Sequence, residues 1–173
     1  AHPSANHNTE VMRMKLKHGI YLKNTEKYLI LFCIGSLVYP LLEMIWRGYT
    51  HPTMAIVGGL CFCLIYYADE KMHRKTGIFL RAVMGGLIIT AVEFVSGCII
   101  NIILGLGVWD YSRLPFNLLG QVCLPFTVLW MFLCIPVIYL CGMLRKYFLK
   151  LLYFSENKNE DDEKSSVKDN VNL

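Results

Sequence analysis

Four long apolar stretches, separated by short polar connections and bounded by charged ends, organise this chain. They cover residues 28–46, 53–68, 78–108 and 118–144. A helix needs about 20 apolar residues to cross a bilayer, so the second stretch is slightly short and the third is long. Hydrocarbon offers no water to unpaired backbone groups, so each stretch has to satisfy its own hydrogen bonds as a helix. The pattern predicts an all-α fold, an integral membrane four-helix bundle.

The placement of basic residues orients it. Of the 17 lysines and arginines, five precede Tyr28, four flank the second connection and six follow the last stretch. Arg47 and Arg113 alone occupy the first and third connections. The positive-inside rule puts both termini in the cytoplasm and turns connections 47–52 and 105–117 outward. The expected organisation is a basic cytoplasmic segment at 1–27, the four-helix transmembrane domain at 28–154, and a polar, disordered cytoplasmic tail at 155–173. The tail mixes acids with lysines and has no apolar period.

Composition agrees. The 173 residues are 55% hydrophobic and only 17% charged, where a soluble domain carries about 25% charged residues. Residues 1–11 contain no apolar run of the signal-peptide kind, and Met12 or Met14 would make a natural start ahead of the first span. The seven cysteines all lie in apolar stretches, without C-x-x-C or paired histidine, and read as small packing residues.

The two outward connections resemble each other. Trp46 precedes Pro52 by six residues and Trp109 precedes Pro115 by six, and each proline leads into a Gly-x-x-Cys step, Gly58–Cys61 and Gly120–Cys123. This is consistent with a tandem repeat of two helical hairpins, each proline sitting in the first turn of a helix, where its missing N–H costs nothing.

Polar residues inside the apolar stretches carry the candidate chemistry. A carboxylate within a span costs roughly 2.5–3.5 kcal/mol on insertion scales, so Glu43 and Glu93 mark function or an ion pair. Thr90, Glu93, Gly97 and Asn101 recur at helical spacing and predict one polar stripe. Glu43 and Arg47 have the i, i+4 order that favours a helical ion pair. Asn117 and Gln121, also four apart, would share a face of the fourth helix. With His51, Trp109, Asp110 and Arg113 above them, these residues predict a polar, ligand-binding pocket that opens outward. Gly58-Gly59 and Gly85-Gly86 predict close helix contacts. Tyr66 and Tyr67 predict an aromatic belt at the inner end of the second stretch.

No nucleotide-binding Gly-rich loop, zinc-protease motif or serine-hydrolase elbow is present. The chain therefore contains no ATPase motif, no catalytic residues are assigned, and no cofactor or metal is expected. Nucleic acid is not an expected partner; the lipid bilayer is.

The run WDYSRLPFNLLGQVCLPFTVLW, with RGYTHPTMAIVGGLCF and ITAVEFVSGCIIN before it, resembles a family of small bacterial membrane proteins described as ABC-transporter permeases of type IV. The resemblance covers residues 28–144. It is carried most specifically by Trp109-Asp110-Tyr111-Ser112 with Pro115, Asn117 and Gly120, by Glu93, Gly97 and Asn101, and by Arg47-Gly48 with His51. It implies a multi-pass protein of the bacterial cell membrane, working as a homo-oligomer or with a separate permease or ATPase subunit. The chain departs from an ordinary ABC permease in its short connection at 69–77. The leading expectation is a permease-like subunit binding a small polar or cationic solute from outside. A membrane scaffold or sensor, and an enzyme acting on a lipid or envelope intermediate, are the competing expectations.

Overall fold

A computed structural model describes the backbone of residues 4–72 and 76–171, and the side-chain surroundings of residues 24–72 and 76–150. Helix α1 runs Ser4–Arg47, α2 Pro52–Lys71 and α3 Ile78–Gly97, the last continued by a π-helical turn over Cys98–Ile103. A two-stranded antiparallel hairpin, β1 Asn117–Leu118 with β2 Val122–Cys123, precedes α4, Leu124–Val171. Within these helices the segments Asn24–Arg47, Pro52–Lys71, Ile78–Ile103 and Leu124–Lys150 are long and apolar enough to cross a membrane. The chain is a multi-pass, all-α membrane protein.

Two span boundaries differ from the sequence reading: the third span ends at Ile103 rather than Val108, and the fourth begins later than expected. The fourth span starts at Leu124, because residues 118–123 form the hairpin and not a helix. Leu119 and Gly120 both adopt positive φ (52° and 68°), a turn conformation that a right-handed helix does not contain. Pro115 consequently lies in a loop, whereas Pro52 opens α2 as expected. The two Gly-x-x-Cys steps therefore occupy different structures, one mid-helix and one in a turn.

At the C-terminal end the backbone of 155–171 continues α4. The segment has neither Pro nor Gly, and extending an existing helix costs far less than nucleating one. The basic side chains before Asn24 and after Lys150, and residues 73–75 with His73, lie outside the described residues.

Helix α1 packs chiefly on α2 and α3 on α4, and α2 joins the two pairs through α3. Small residues make both close contacts. A Cβ on Gly58 would strike Tyr39 and lie 2.6 Å from the carbonyl of Gly35. One on Gly86 would lie 2.8 Å from the backbone nitrogen of Met131. In lipid, helices gain little from hydrophobic burial against each other, so such backbone approach is the main source of packing energy. Helices α1 and α4 stand across a cleft of about 260 Å³, floored by α2 and α3. The stacked rings of Tyr39 and Trp130 bridge it, their centroids 5.5 Å apart.

Gly58→Ala and Gly86→Ala each force backbone to move. Each should cost about 1–3 kcal/mol, as overpacking does, and lower the thermal midpoint in detergent. Leu37→Ala, on a face that is 73% exposed to the surrounding medium, should leave that midpoint nearly unchanged.

Candidate functional site

The stripe on α3 is real, and it faces α4 and the loop that leads into α4. Thr90 Oγ1 donates to Thr127 Oγ1 at 3.1 Å. Glu93 lies one turn further on, and beyond it Gly97 is so close to Gln121 and Trp109 that a Cβ would come within 2.6 Å of Gln121 Oε1. Asn101, inside the π-helical turn, completes it.

Glu93 is 2% exposed. Tyr39 Oη donates to its Oε1 at 2.5 Å and Trp130 Nε1 to its Oε2 at 2.8 Å. Its two oxygens are thus held by α1 and α4, from opposite sides of the cleft. Both donors are neutral, and among the described residues Glu93 forms no ion pair. Hydrogen bonds to an ionised group are worth roughly 1.5–3 kcal/mol each, enough to fix the carboxylate but not to neutralise it.

Above this layer, the third connection is folded onto the helix ends by amides. Asn101 Nδ2 donates to the Trp109 carbonyl at 3.1 Å and to Gln121 Oε1 at 2.8 Å, while its Oδ1 accepts from Val108 N at 2.7 Å. Trp109, buried, donates its indole N–H to the Gln121 carbonyl at 2.9 Å. The carbonyl of Val108 is taken by Arg47, whose Nη1 donates to it at 3.2 Å. Arg47 also pairs with Glu43 at 2.6 Å, and Glu43 accepts from Thr50 Oγ1 at 2.5 Å. Glu43, Arg47, Asn101, Trp109 and Gln121 thus meet around one short loop segment, and their polar atoms are spent on each other and on the loop backbone.

The remaining candidates shape the loop. Asp110 accepts from both the backbone N–H and the hydroxyl of Ser112, at 2.8 and 2.9 Å. These bonds, with the Arg113 charge nearby, hold its carboxyl below the usual carboxylate range. Asn117 donates to the carbonyls of Ser112 and Leu114 and accepts from Gly120 N. It sits on the hairpin and shares no helix face with Gln121, since the chain turns between them. Arg113 is exposed. His51 caps α2 by accepting from Thr53 N at 3.4 Å and stays apart from the cluster. Tyr111 stacks on Phe126 at 4.7 Å, and burial together with the Glu93 charge pushes its phenol up.

Sequence reasoning missed three participants. Tyr39 and Trp130 look like ordinary aromatic residues of a span, and only the bundle brings their polar tips to Glu93. Asp69 reads as part of a solvated connection, yet it is 5% exposed. Arg81 Nε donates to its Oδ1 at 2.6 Å and Arg145 Nη2 to its Oδ2 at 2.5 Å. Tyr66 is likewise no exposed belt residue: it is 1% exposed, with Lys27 Nζ and Arg145 Cζ 5.2 and 5.8 Å from its ring centroid. Tyr67 is half exposed, as a belt residue should be.

A family model described as "Putative ABC-transporter type IV" matches residues 30–157, which include every helix span in whole or in large part. No match was found among curated proteins or among solved structures.

Asn101→Leu would strand the Val108 N–H, the Trp109 carbonyl and Gln121 Oε1. The expected loss is about 2–4 kcal/mol, given roughly 1–3 for each buried group left unpaired, with red-shifted tryptophan emission as the Trp109 loop lifts. Asp69→Asn leaves two arginines without their shared carboxylate and should cost about 3–5 kcal/mol in detergent unfolding. Because the folded pKa of Asp110 is lowered, its turn is stabilised above the ordinary carboxylate range. That contribution disappears as pH falls through the lowered value, and Asp110→Asn should remove this pH dependence from protease protection of the loop.

Proposed function

This chain belongs to that ABC-transporter-related family, and from that premise we propose that it is a permease-like subunit that binds a small polar or cationic solute. The basic end of the bundle and both termini face the cytoplasm of a bacterial cell, by the distribution of lysine and arginine. The loop end, with Arg47, Asn101 and the hairpin, faces out and receives the solute.

One observation carries the reading. Glu93 is a carboxylate buried at mid-span with two neutral donors and, among the described residues, no basic side chain in ion-pair contact. Elsewhere in the bundle the charged groups are paired: Glu43 with Arg47, Asp69 with Arg81 and Arg145. An unpaired carboxylate in hydrocarbon is costly, and a cation arriving as ligand supplies what the protein leaves out. The neighbouring aromatic rings favour the same charge, since ring faces attract cations by about 0.5–2 kcal/mol.

In this reading the amide cluster is the cover. Asn101 and Gln121 hold the loop down over Glu93, and opening exchanges their mutual hydrogen bonds for bonds to solute. Arg47 and Glu43 hinge the loop to α1, with Trp109 as its buried plug. Asp110, Arg113 and Asn117 shape the rim, and His51 fixes the start of α2 beside it. Four helices enclose little volume, so a second copy of the chain or a separate permease or ATPase subunit completes the path.

The test is Glu93→Gln, which keeps the shape and an acceptor for Trp130 while removing the charge. Thermal midpoints of the detergent-solubilised protein should rise with one of three probes: potassium chloride, tetramethylammonium chloride or spermidine. The variant should insert into the membrane normally and lose that response. A Glu93→Gln protein that keeps the full response would overturn the assignment.

A further inference from the structure

The cleft between α1 and α4 is not explained by solute binding at Glu93. Its walls are Gly35, Val38 and Leu42 of α1 and Leu133, Val137 and Leu140 of α4, and its lining is almost wholly apolar. It runs along the helices, between Gly35 and Leu42 on α1 and between Trp130 and Leu140 on α4. Its volume of about 260 Å³ and its apolar lining suit part of a hydrocarbon chain rather than a polar ligand.

The chemistry at its basic end identifies the rest of the occupant. Gly35 is eight residues from Lys27, about 12 Å along α1, and Leu140 is five residues from Arg145, about 7.5 Å along α4. Lys27 and Arg145 flank the same ring, that of Tyr66, between the two cleft helices. Lys27, Arg81 and Arg145 face two acids at this end, Asp69 and Glu70, so one positive charge is left over. Lys71 and Lys146 add two more and Glu26 offsets one. Most tellingly, the Nε–H of Arg145 is buried and finds no acceptor among the described residues. The Arg145 side chain is nevertheless 31% exposed, so a guanidinium only partly spent on Asp69 presents its accessible edge to a phosphate oxygen.

We propose that this cleft and its basic mouth form a site for an anionic phospholipid. One acyl chain lies between α1 and α4, and the phosphate sits against the exposed part of Arg145 and Lys27. The headgroup therefore belongs to the leaflet at the basic end, and the acyl chain ends below the Tyr39–Trp130 pair.

The experiment is native mass spectrometry of the full chain in detergent. It is titrated with phosphatidylglycerol and, separately, with phosphatidylcholine of the same acyl chains. Phosphatidylglycerol should bind about tenfold more tightly. Arg145→Gln and Lys27→Gln should each erase most of that preference while phosphatidylcholine binding stays as it was. Leu133→Trp, or Val137→Trp if the first variant does not fold, should fill the cleft and weaken both lipids. Equal binding of the two lipids to the unaltered chain would overturn the proposal, as would a preference that survives both charge variants. So would undiminished binding to the cleft-filled protein, or a dimer whose formation displaces the lipid.

Discussion

The structure turns on how a carboxylate is kept in place where no water reaches it. Glu93 lies on α3, but both of its hydrogen bonds come from other helices: Tyr39 from α1 and Trp130 from α4. Helices α1 and α4 have little direct contact otherwise. The acid therefore acts as the tie between the two helical pairs, α1 with α2 and α3 with α4. Without it, the two pairs would be joined mainly by the contacts of α2 with α3 and α4, and by Trp46 of α1 edge-on to Phe126 of α4. A group that is expensive to bury thus determines where the outer helices stand.

The two ends of the bundle solve the same problem in opposite ways. At the basic end, Asp69 is compensated by two arginines from different helices, Arg81 and Arg145, which fixes α2, α3 and α4 together by charge. At the loop end, neutral amides do most of the fastening, with Arg47 and Glu43 as a single ion pair beside them. Neutral hydrogen bonds are individually worth about 0.5–1.5 kcal/mol net and exchange readily for bonds to water or solute. The charged pairs at the basic end have no such substitute. The proposed opening at the loop end, above Glu93, is in keeping with this asymmetry.

The sequence reveals the spans well, because hydropathy and the bilayer's thickness leave few choices. It reveals the stripe from Thr90 to Asn101 for the same reason: helical periodicity survives even the π-helical turn at its end. What it hides is what depends on backbone dihedrals outside helices. Leu118, Leu119 and Val122 are as apolar as any helix residue, and nothing in their hydropathy distinguishes a hairpin from a helix start. Gly120 was the available sign, and only the positive φ shared with Leu119 makes it decisive. Partner choice is hidden as well. Asp69 pairs with residues 12 and 76 positions away, and Glu93 with residues 54 and 37 away, separations that no local spacing rule reaches.

Tyr39 and Trp130 stand between the carboxylate and the cleft. Their polar tips hold Glu93, while their ring bodies close the upper end of the α1–α4 cleft. One stacked pair therefore separates a charged site from an apolar one, and neither side can be altered without moving it. Any displacement of the carboxylate toward the loop end has to pull against a phenol and an indole stacked 5.5 Å apart. The apolar cleft and the buried carboxylate thus share two aromatic side chains, at the depth where these rings carry α1 and α4 into contact.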